Sequence, residues 1–137
     1  MLKLLQQIIE EVNKTDNIHQ VLDTVVHRVV SALDTQSCSI FLFNEHTNEL
    51  VLMATQGLNP SAVGKTGIPF GQGLVSLVAE REEPLNIINA PDHPHYYQVP
   101  GAGEQHYSAF LGVPIQHRRH MLGVLIVEQE GQRQYDE

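Results

Sequence analysis

The chain has 137 residues, a formal net charge of −8 at pH 7 and one cysteine. Its length is that of one domain, and 42% hydrophobic residues exclude a disordered chain. Only 8 Lys and Arg stand against 16 Asp and Glu, which argues against a nucleic-acid partner, because a phosphate backbone needs a clustered basic surface. No apolar run reaches the roughly 20 residues of a membrane span, and Cys38 has no second cysteine to pair with. Both facts predict a cytoplasmic protein without a membrane partner.

The chain opens with two predicted helices. The first covers residues 2–14, where apolar side chains recur at helical spacing. Asp16 is the predicted N-cap of the second helix, which begins at Ile18 and ends near Ala32–Asp34. One side of this second helix carries the apolar residues Ile18, Leu22, Val25, Val26, Val29 and Leu33. Such a stripe must pack on another element, and a predicted sheet follows directly.

Strands and one short helix are predicted for the rest of the chain. The strands are Ser37–Phe43, Glu49–Thr55, Lys65–Pro69, Leu85–Ile88, Ser108–Gln116 and Met121–Glu128, and the helix is Leu74–Arg81. The first two strands form a hairpin, and a tight turn at residues 117–120 joins the last two. The first hairpin is apolar at nearly every position, which indicates a sheet covered on both faces. This order predicts an α+β single domain with a mainly antiparallel sheet.

The face of the sheet away from the helices is the predicted ligand site. Ser39, Phe41 and Phe43 share one face of their strand because alternate residues do, and such aromatic residues suit either a core or a ligand platform. The irregular stretch over residues 89–107 is typical of a loop that closes over a site. It carries three tyrosines, Tyr96, Tyr97 and Tyr107. We expect these rings to cover a cavity on the sheet.

The segment Gly71-Gln72-Gly73 before the short helix has two interpretations. It is either a turn that needs a permissive backbone, or a site where the free N–H groups of Gly73, Leu74 and Val75 bind a ligand anion. Between the first strand and the last hairpin turn, the only cations are Lys65 and Arg81, against seven carboxylates. This balance favours a small zwitterionic or neutral ligand over a polyphosphate.

Catalysis and metal binding find little support in the sequence. No nucleophile motif and no phosphate-binding loop of a nucleotide hydrolase is present. Cys38 lies inside an apolar strand and is interpreted as a core residue. His93, His95 and His106 lie in the long loop, but no cysteine or carboxylate joins them at a ligand spacing, so no metal and no cofactor is predicted. A metal- or redox-dependent enzyme that uses these residues is the remote alternative.

Several segments, in this order, resemble a GAF domain, the small-molecule sensor module of signalling proteins. The resemblance runs from about Ile18 to the C-terminus and rests on Cys38–Leu42, Ile68–Leu74, Pro84–Ile87, Asp92–Pro94, Gly112–Ile115 and Leu122–Leu125. A narrower set is similar to the N-terminal GAF domain of the nitrogen-related Enzyme I family, which are bacterial phosphoenolpyruvate-protein phosphotransferases. That set is Leu4–Asn13, Leu52–Asn59, Ala62–Gly64, Arg81–Asn86 and Ala109–Ile115.

The resemblance implies a regulatory segment without catalytic residues. In that family the phosphotransfer chemistry lies in later domains, and residues 134–137 are similar to the start of the last GAF helix, so a longer protein is expected. The implied effector is a nitrogen-status metabolite that controls those later domains. Glutamine is favoured over 2-oxoglutarate, since few cations are available for two carboxylates. Pairing of helices implies a homodimer.

The resemblance implies ligand-binding positions at Ser39, Thr55, Gln56, Leu74, Val75, Tyr97 and Tyr107. With the residues of the covered sheet face, the helix start and the loop, the predicted ligand-binding set is Ser39, Phe41, Phe43, Thr55, Gln56, Gly73, Leu74, Val75, Tyr96, Tyr97, Tyr107 and Ala109. Ile126 stands where some cyclic-nucleotide-binding relatives have a carboxylate, which weakens a cyclic-nucleotide interpretation. The alternative is an interaction module with a collapsed pocket, which the apolar character of Phe41, Phe43, Leu111 and Val113 would suit.

Overall fold

A computed structural model describes residues 18–97, 101 and 107–135 of the chain. The helices are α1 (Ile18–Leu33) and α2 (Gly73–Arg81), and single 3-10 turns lie at Pro60–Ala62 and Ala90–Asp92. The strands are β1 (Ser37–Asn44), β2 (Glu49–Gln56), β3 (Gly67–Pro69), β4 (Leu85–Ile87), β5 (Ala109–His117) and β6 (His120–Gln129). The predicted helix over residues 2–14 and its neighbour Asp16 lie outside the described residues.

The strands form one six-stranded sheet in the order β3-β2-β1-β6-β5-β4, and every neighbouring pair is antiparallel. The hairpin of β5 and β6 turns at Arg118 and Arg119, whose φ angles of 51° and 67° match the two left-handed positions of a type I′ turn. The predicted α+β fold with an antiparallel sheet is therefore confirmed.

Helix α1 covers one face of the sheet and forms the helix-side core. The members of this core include Leu22, Val25, Val26, Val29, Cys38, Ile40, Ala54, Ala109, Leu111, Val113, Ile115, Leu125, Val127 and Tyr135. Ile18, predicted to share the apolar stripe of α1, is instead 44% exposed. Leu111 and Val113 lie in this core, so the expectation that they would fill a pocket on the other face is wrong.

Helix α2 and the two 3-10 turns cover the opposite face and form the pocket-side core. Its members include Phe41, Leu50, Leu52, Leu58, Ala62, Ile68, Leu74, Val75, Val78, Ala79, Ala90, Phe110, Val124 and Ile126. Coverage of both faces explains why β1 is apolar at nearly every position. The register between β1 and β2 shifts after Ile40, which pairs with Ala54, while Phe41 pairs with Leu52. Met53 is thus the extra residue of a bulge in β2.

Residues Arg133 to Tyr135, here called the C-terminal clamp, hold the end of α1. The Arg133 guanidinium donates hydrogen bonds to the carbonyl oxygens of Leu33 (3.0 Å) and Asp34 (3.1 Å), and it lies 4.5 Å from the centre of the Tyr135 ring. A cation at a helix C-terminus bonds the last carbonyls, which have no partner within the helix. Gln134 and Tyr135, which resemble the start of a helix, are not helical in the described chain.

Tyr135 connects this clamp to the sheet. Its hydroxyl lies 2.8 Å from the Thr35 hydroxyl, which in turn donates to the backbone carbonyl oxygen of Glu128 at 3.0 Å. The Asn86 side chain donates to the Tyr135 carbonyl oxygen at 2.7 Å and accepts from its N–H at 3.3 Å. The clamp therefore joins α1, β4 and β6 at one end of the domain.

Candidate functional site

A cavity of about 20 Å³ lies between the pocket-side face of the sheet and α2. Its walls are formed by Ile68, Gly73, Leu74, Val75, Ala90, Tyr96, Tyr97, Phe110, Ile126 and Glu128. A volume of this size admits a group as large as a water molecule, whereas a pocket for a whole metabolite is on the order of hundreds of Å³. The described cavity is therefore large enough for a small chemical group and too small for a complete effector.

The glycines before α2 bring the helix against this cavity. Gly71 has φ 102° and Gly73 has φ 78°, a left-handed conformation that favours glycine. A Cβ atom at Gly73 would lie 3.0 Å from the Cβ atom of Tyr97, so the tyrosine packs directly on the glycine backbone. The permissive-backbone interpretation of this segment is confirmed, and the first residues of α2 also line the cavity.

Hydroxyl groups line the pocket-side face of β1 and β2 next to the apolar core. The Ser39 and Thr55 hydroxyls lie 2.8 Å apart, and the Thr55 hydroxyl also accepts the N–H of Leu58 at 3.2 Å. Ser37 is fully buried, and its hydroxyl oxygen has no hydrogen-bond partner in the described structure. Ser37 pairs in register with Glu128, so these two residues share a face at neighbouring positions.

Glu128 is a site residue that the sequence prediction missed. It is only 5% exposed, lies at the end of β6 and contributes to the cavity wall. Alternation along a strand places Glu128 on the same face as Val124 and Ile126, both of the pocket-side core. Alternation from Ile126, two residues earlier, is the sequence signal that predicts this placement of Glu128.

The predicted ligand-binding residues divide between the two faces of the sheet. The structure brings Gly73, Leu74, Val75, Tyr96 and Tyr97 together around the cavity. Phe41 is fully buried in the pocket-side core beneath it, with Ser39 and Thr55 on the same face. Gln56 pairs in register with Cys38, and Ala109 lies in the helix-side core, so neither is brought to the cavity.

The remaining predicted residues lie at the edges of the site. The Phe43 ring packs edge-on against Phe70, with ring centres 5.4 Å apart. The Tyr107 hydroxyl donates to the Gly57 carbonyl oxygen at 2.8 Å, and its ring packs against the pocket-side core. Lys65 and Arg81 are exposed, and neither lines the cavity. The one charged side chain that the described structure places in the cavity wall is therefore an acid.

The residues considered for metal or redox chemistry are not assembled into a site in the described structure. Cys38 is fully buried in the helix-side core. The His93 and His95 rings are 5.6 Å apart, but residues 18–97, 101 and 107–135 contain no cluster of three or more His, Cys, Asp or Glu that would hold a metal. His106 lies outside these residues. Within the same ranges, no helix has the length and apolar character needed to cross a membrane.

Burial raises the pKa of the Cys38 thiol, and the nearby Glu128 carboxylate raises it further. When the folded pKa is raised, the stabilisation is complete below the unfolded pKa, here about 8.5, and is lost as the pH rises above it. We expect the free energy of unfolding to decline above that pH, with a slope approaching about 1.4 kcal/mol per pH unit. Urea unfolding between pH 7 and 10 should show this slope in the wild type and a smaller slope in Cys38→Ala. Equal slopes would contradict the prediction.

The folded chain is an α+β domain in which a covered cavity lies on one face of an antiparallel sheet. The family model of the GAF domain matches residues 17–137, and the chain belongs to this family. Individual similar proteins give more detail than the family model does. A protein of Salmonella typhimurium described as "Phosphoenolpyruvate-dependent phosphotransferase system" is 39% identical over 137 residues, which are 100% of this chain and 18% of that protein. The chain thus spans less than a fifth of this curated relative.

Two solved structures of GAF domains from phosphoenolpyruvate-protein phosphotransferases are similar to this chain. The domain from Coxiella burnetii is 46% identical with a TM-score of 0.86, and the match covers 99% of this chain and 81% of that one. The domain from Acinetobacter is 37% identical with a TM-score of 0.81, covering 99% and 80%. The chain therefore resembles the GAF domain of these phosphotransferases along nearly its whole length.

Proposed function

We propose that this chain is the regulatory, ligand-sensing GAF domain of a cytoplasmic phosphoenolpyruvate-protein phosphotransferase of the nitrogen phosphotransfer system. The single observation that carries the proposal is the covered cavity on the sheet, to which the predicted residues Gly73, Leu74, Val75, Tyr96 and Tyr97 contribute. The likeness to GAF domains of two such phosphotransferases supports the identity of the longer protein.

Glutamine is the effector that we propose. Glu128 in the cavity wall repels a ligand with two carboxylates, and Lys65 and Arg81 do not line the cavity to neutralise them. Glutamine carries one carboxylate, one ammonium group and a neutral amide, so it has one negative charge fewer than 2-oxoglutarate and an added positive one. This charge balance favours glutamine over 2-oxoglutarate.

The segment is proposed to regulate and not to catalyse. Cys38 is buried with a raised pKa, which removes it as a nucleophile, since the thiolate is the reactive form. The phosphotransfer steps then belong to other domains of the longer chain, which this domain controls. A homodimer formed through helices is part of the same proposal.

The small cavity favours a second function. A site of about 20 Å³ is what a GAF domain with a collapsed pocket would show, and such a domain would serve as an interaction or dimerisation module. The two functions differ in one respect: a sensor must separate Tyr96 and Tyr97 from α2 to admit its effector, whereas an interaction module keeps them packed.

Isothermal titration of the 137-residue chain distinguishes the two functions. We expect glutamine to bind with a Kd between micromolar and millimolar values, and 2-oxoglutarate to bind more weakly. Ala90→Phe, which places a ring at the cavity wall, is the matched variant and should abolish the heat of glutamine binding. Absence of heat from glutamine, 2-oxoglutarate and cyclic nucleotides at millimolar concentration would favour the interaction module.

A further inference from the structure

The tip of the β5–β6 hairpin carries a cluster of cationic residues. Of the 8 Lys and Arg in the sequence, only Arg118 and Arg119 are adjacent, and His117 and His120 flank them. All four residues, here called the basic tip, are exposed. The charge of the basic tip is opposite to the net charge of −8 that the whole chain carries. A local patch of this kind attracts an anionic partner.

The backbone of the basic tip is one that arginine does not favour. The φ angle is 51° at Arg118 and 67° at Arg119, and His117 pairs with His120 across the turn. A two-residue turn of this type prefers Asn-Gly or Gly-Gly, because a residue with a Cβ atom is strained in the left-handed conformation. Strain of this kind is concentrated at functional positions, so the two arginines are expected to serve binding and not the turn.

The two arginines of the tip have no partner among the described residues. Neither Arg118 nor Arg119 forms a hydrogen bond or an ion pair there. Glu82, which lies beside the base of the hairpin, accepts a hydrogen bond from the Gln116 side chain at 3.2 Å. Arg133, by contrast, donates to two backbone carbonyl oxygens. The N–H groups of the tip arginines therefore point to a partner with carboxylates, which a guanidinium binds with two parallel hydrogen bonds.

An open apolar groove begins at the basic tip. His120 lines this groove, and Met121 and Leu122 continue it along β6. Leu42 and Met53 line it from the neighbouring strands. Leu122 is 37% exposed, which is unusual for a leucine inside a strand. Arginine beside exposed apolar side chains is the composition of a protein-binding surface.

The formal charge around the groove differs between its two sides. Glu45, Glu49 and Lys65 line it beside β1 and β2, two carboxylates against one ammonium group, whereas the basic tip borders it beside β6. A partner that was acidic along its whole length would be repelled by the first side. We propose that the basic tip and this groove form a docking surface for a protein segment with carboxylates at one end and apolar side chains next to them. The carboxylates bond the two arginines, and the apolar side chains cover Leu122.

This docking surface is separate from the proposed ligand site. Phe110 and Glu128 of the cavity wall pair with each other at one end of β5 and β6, whereas His117 and His120 pair at the other end. The proposal therefore goes beyond the ligand-sensing function, and its test needs no effector.

Fluorescence anisotropy with a labelled peptide tests the surface on the 137-residue chain. The probe is a peptide of about 14 residues with four glutamates in its first half and four leucines among serines in its second half. One control peptide has lysine in place of each glutamate, and the other has serine in place of each leucine. We expect the probe to bind at least about 10 times more tightly than either control, and its binding to weaken at about 0.5 M salt because ions screen exposed charges.

The double variant Arg118→Asn/Arg119→Gly removes both charges and gives the turn the residues that it favours. We expect it to raise the Tm by about 3–6 °C and to weaken binding of the probe by about 10 to 100 times. Unfolding does not explain a loss of binding in a variant that is more stable. Arg81→Glu, at an exposed position of α2, lowers the net charge by the same two units and should bind the probe as the wild type does.

The other outcomes overturn the proposal in different ways. If the probe does not bind at millimolar concentration, or binds the double variant as tightly as the wild type, the basic tip is not a docking surface. If the serine control binds as tightly as the probe, the groove takes no part. If the chain binds phosphatidylglycerol vesicles but not the probe, the partner is a membrane. If sedimentation shows self-association that the double variant loses, and the probe does not bind, the partner is a second copy of the chain.

Discussion

Gly123→Ala is expected to unfold the domain or to reduce its free energy of unfolding by more than about 4 kcal/mol. Gly123 lies in the middle of the sheet, paired with Leu42 of β1 and with Ile115 of β5. A Cβ atom there would overlap the carbonyl oxygen of Phe41 and lie 2.9 Å from the Cα atom of Leu42. These are backbone atoms, so relief requires β1 and β6 to separate, and the hydrogen bonds between the two central strands would be lost.

Urea unfolding followed by circular dichroism measures this effect. Gly131→Ala is the control, because a Cβ atom at Gly131 meets nothing within 4 Å and only its φ of 76° is unfavourable for alanine. A left-handed alanine costs roughly 1–2 kcal/mol, so the control should fold with a modest loss. A Gly123→Ala protein that unfolds at the wild-type midpoint would show that the two strands are not this close.

Tyr135→Ala is expected to lower the free energy of unfolding by about 3–5 kcal/mol. The Tyr135 ring is 3% exposed and belongs to the helix-side core, so its removal leaves a hole between α1 and the sheet. The same change removes the surface on which the Arg133 guanidinium packs and the hydroxyl that bonds Thr35. Packing and hydrogen bonding are lost together.

Tyr135→Phe separates these two losses. It keeps the ring and removes only the hydroxyl, and the Thr35 hydroxyl still bonds the Glu128 carbonyl, so we expect a loss of about 1 kcal/mol. Thermal and urea unfolding of both variants provide the comparison. If phenylalanine costs as much as alanine, the hydroxyl network and not the ring stabilises this end of the domain.

The sequence determines which face of the sheet most strand residues occupy, because the period of a strand is two. That rule placed Phe41 opposite Ile40, and coverage of both faces followed from the apolar character of the first hairpin. Elements were also predictable where backbone conformation restricts the residue, as at Gly71 and Gly73 before α2. These signals are local and need no knowledge of distant contacts.

The composition of the site was less predictable, because it depends on contacts between distant segments. The resemblance implies Gln56 as a site residue, but alternation from Thr55 places Gln56 on the other face of the sheet. Ala109 is also in the predicted set, yet it lies in the helix-side core while its neighbour Phe110 lies in the pocket-side core. The sequence predicts Glu128 only as the end of a strand, because it becomes part of a cavity wall through the approach of α2, a distant segment. The periodic pattern of apolar residues does not show how closely Tyr96 and Tyr97 pack on α2. That packing determines the volume of the cavity.

The side chain and the backbone carbonyl of Glu128 make contacts on two different sides of β6. Its side chain faces the cavity, while its backbone carbonyl accepts the Thr35 hydroxyl, which also contacts the Tyr135 hydroxyl. The Thr35 side chain thus lies between the strand that carries the cavity wall and Tyr135, the last described residue. A shift of β6 at this point would stretch or break the two hydrogen bonds of Thr35, so the position of the cavity wall is coupled to Tyr135 and to the segment that follows α1.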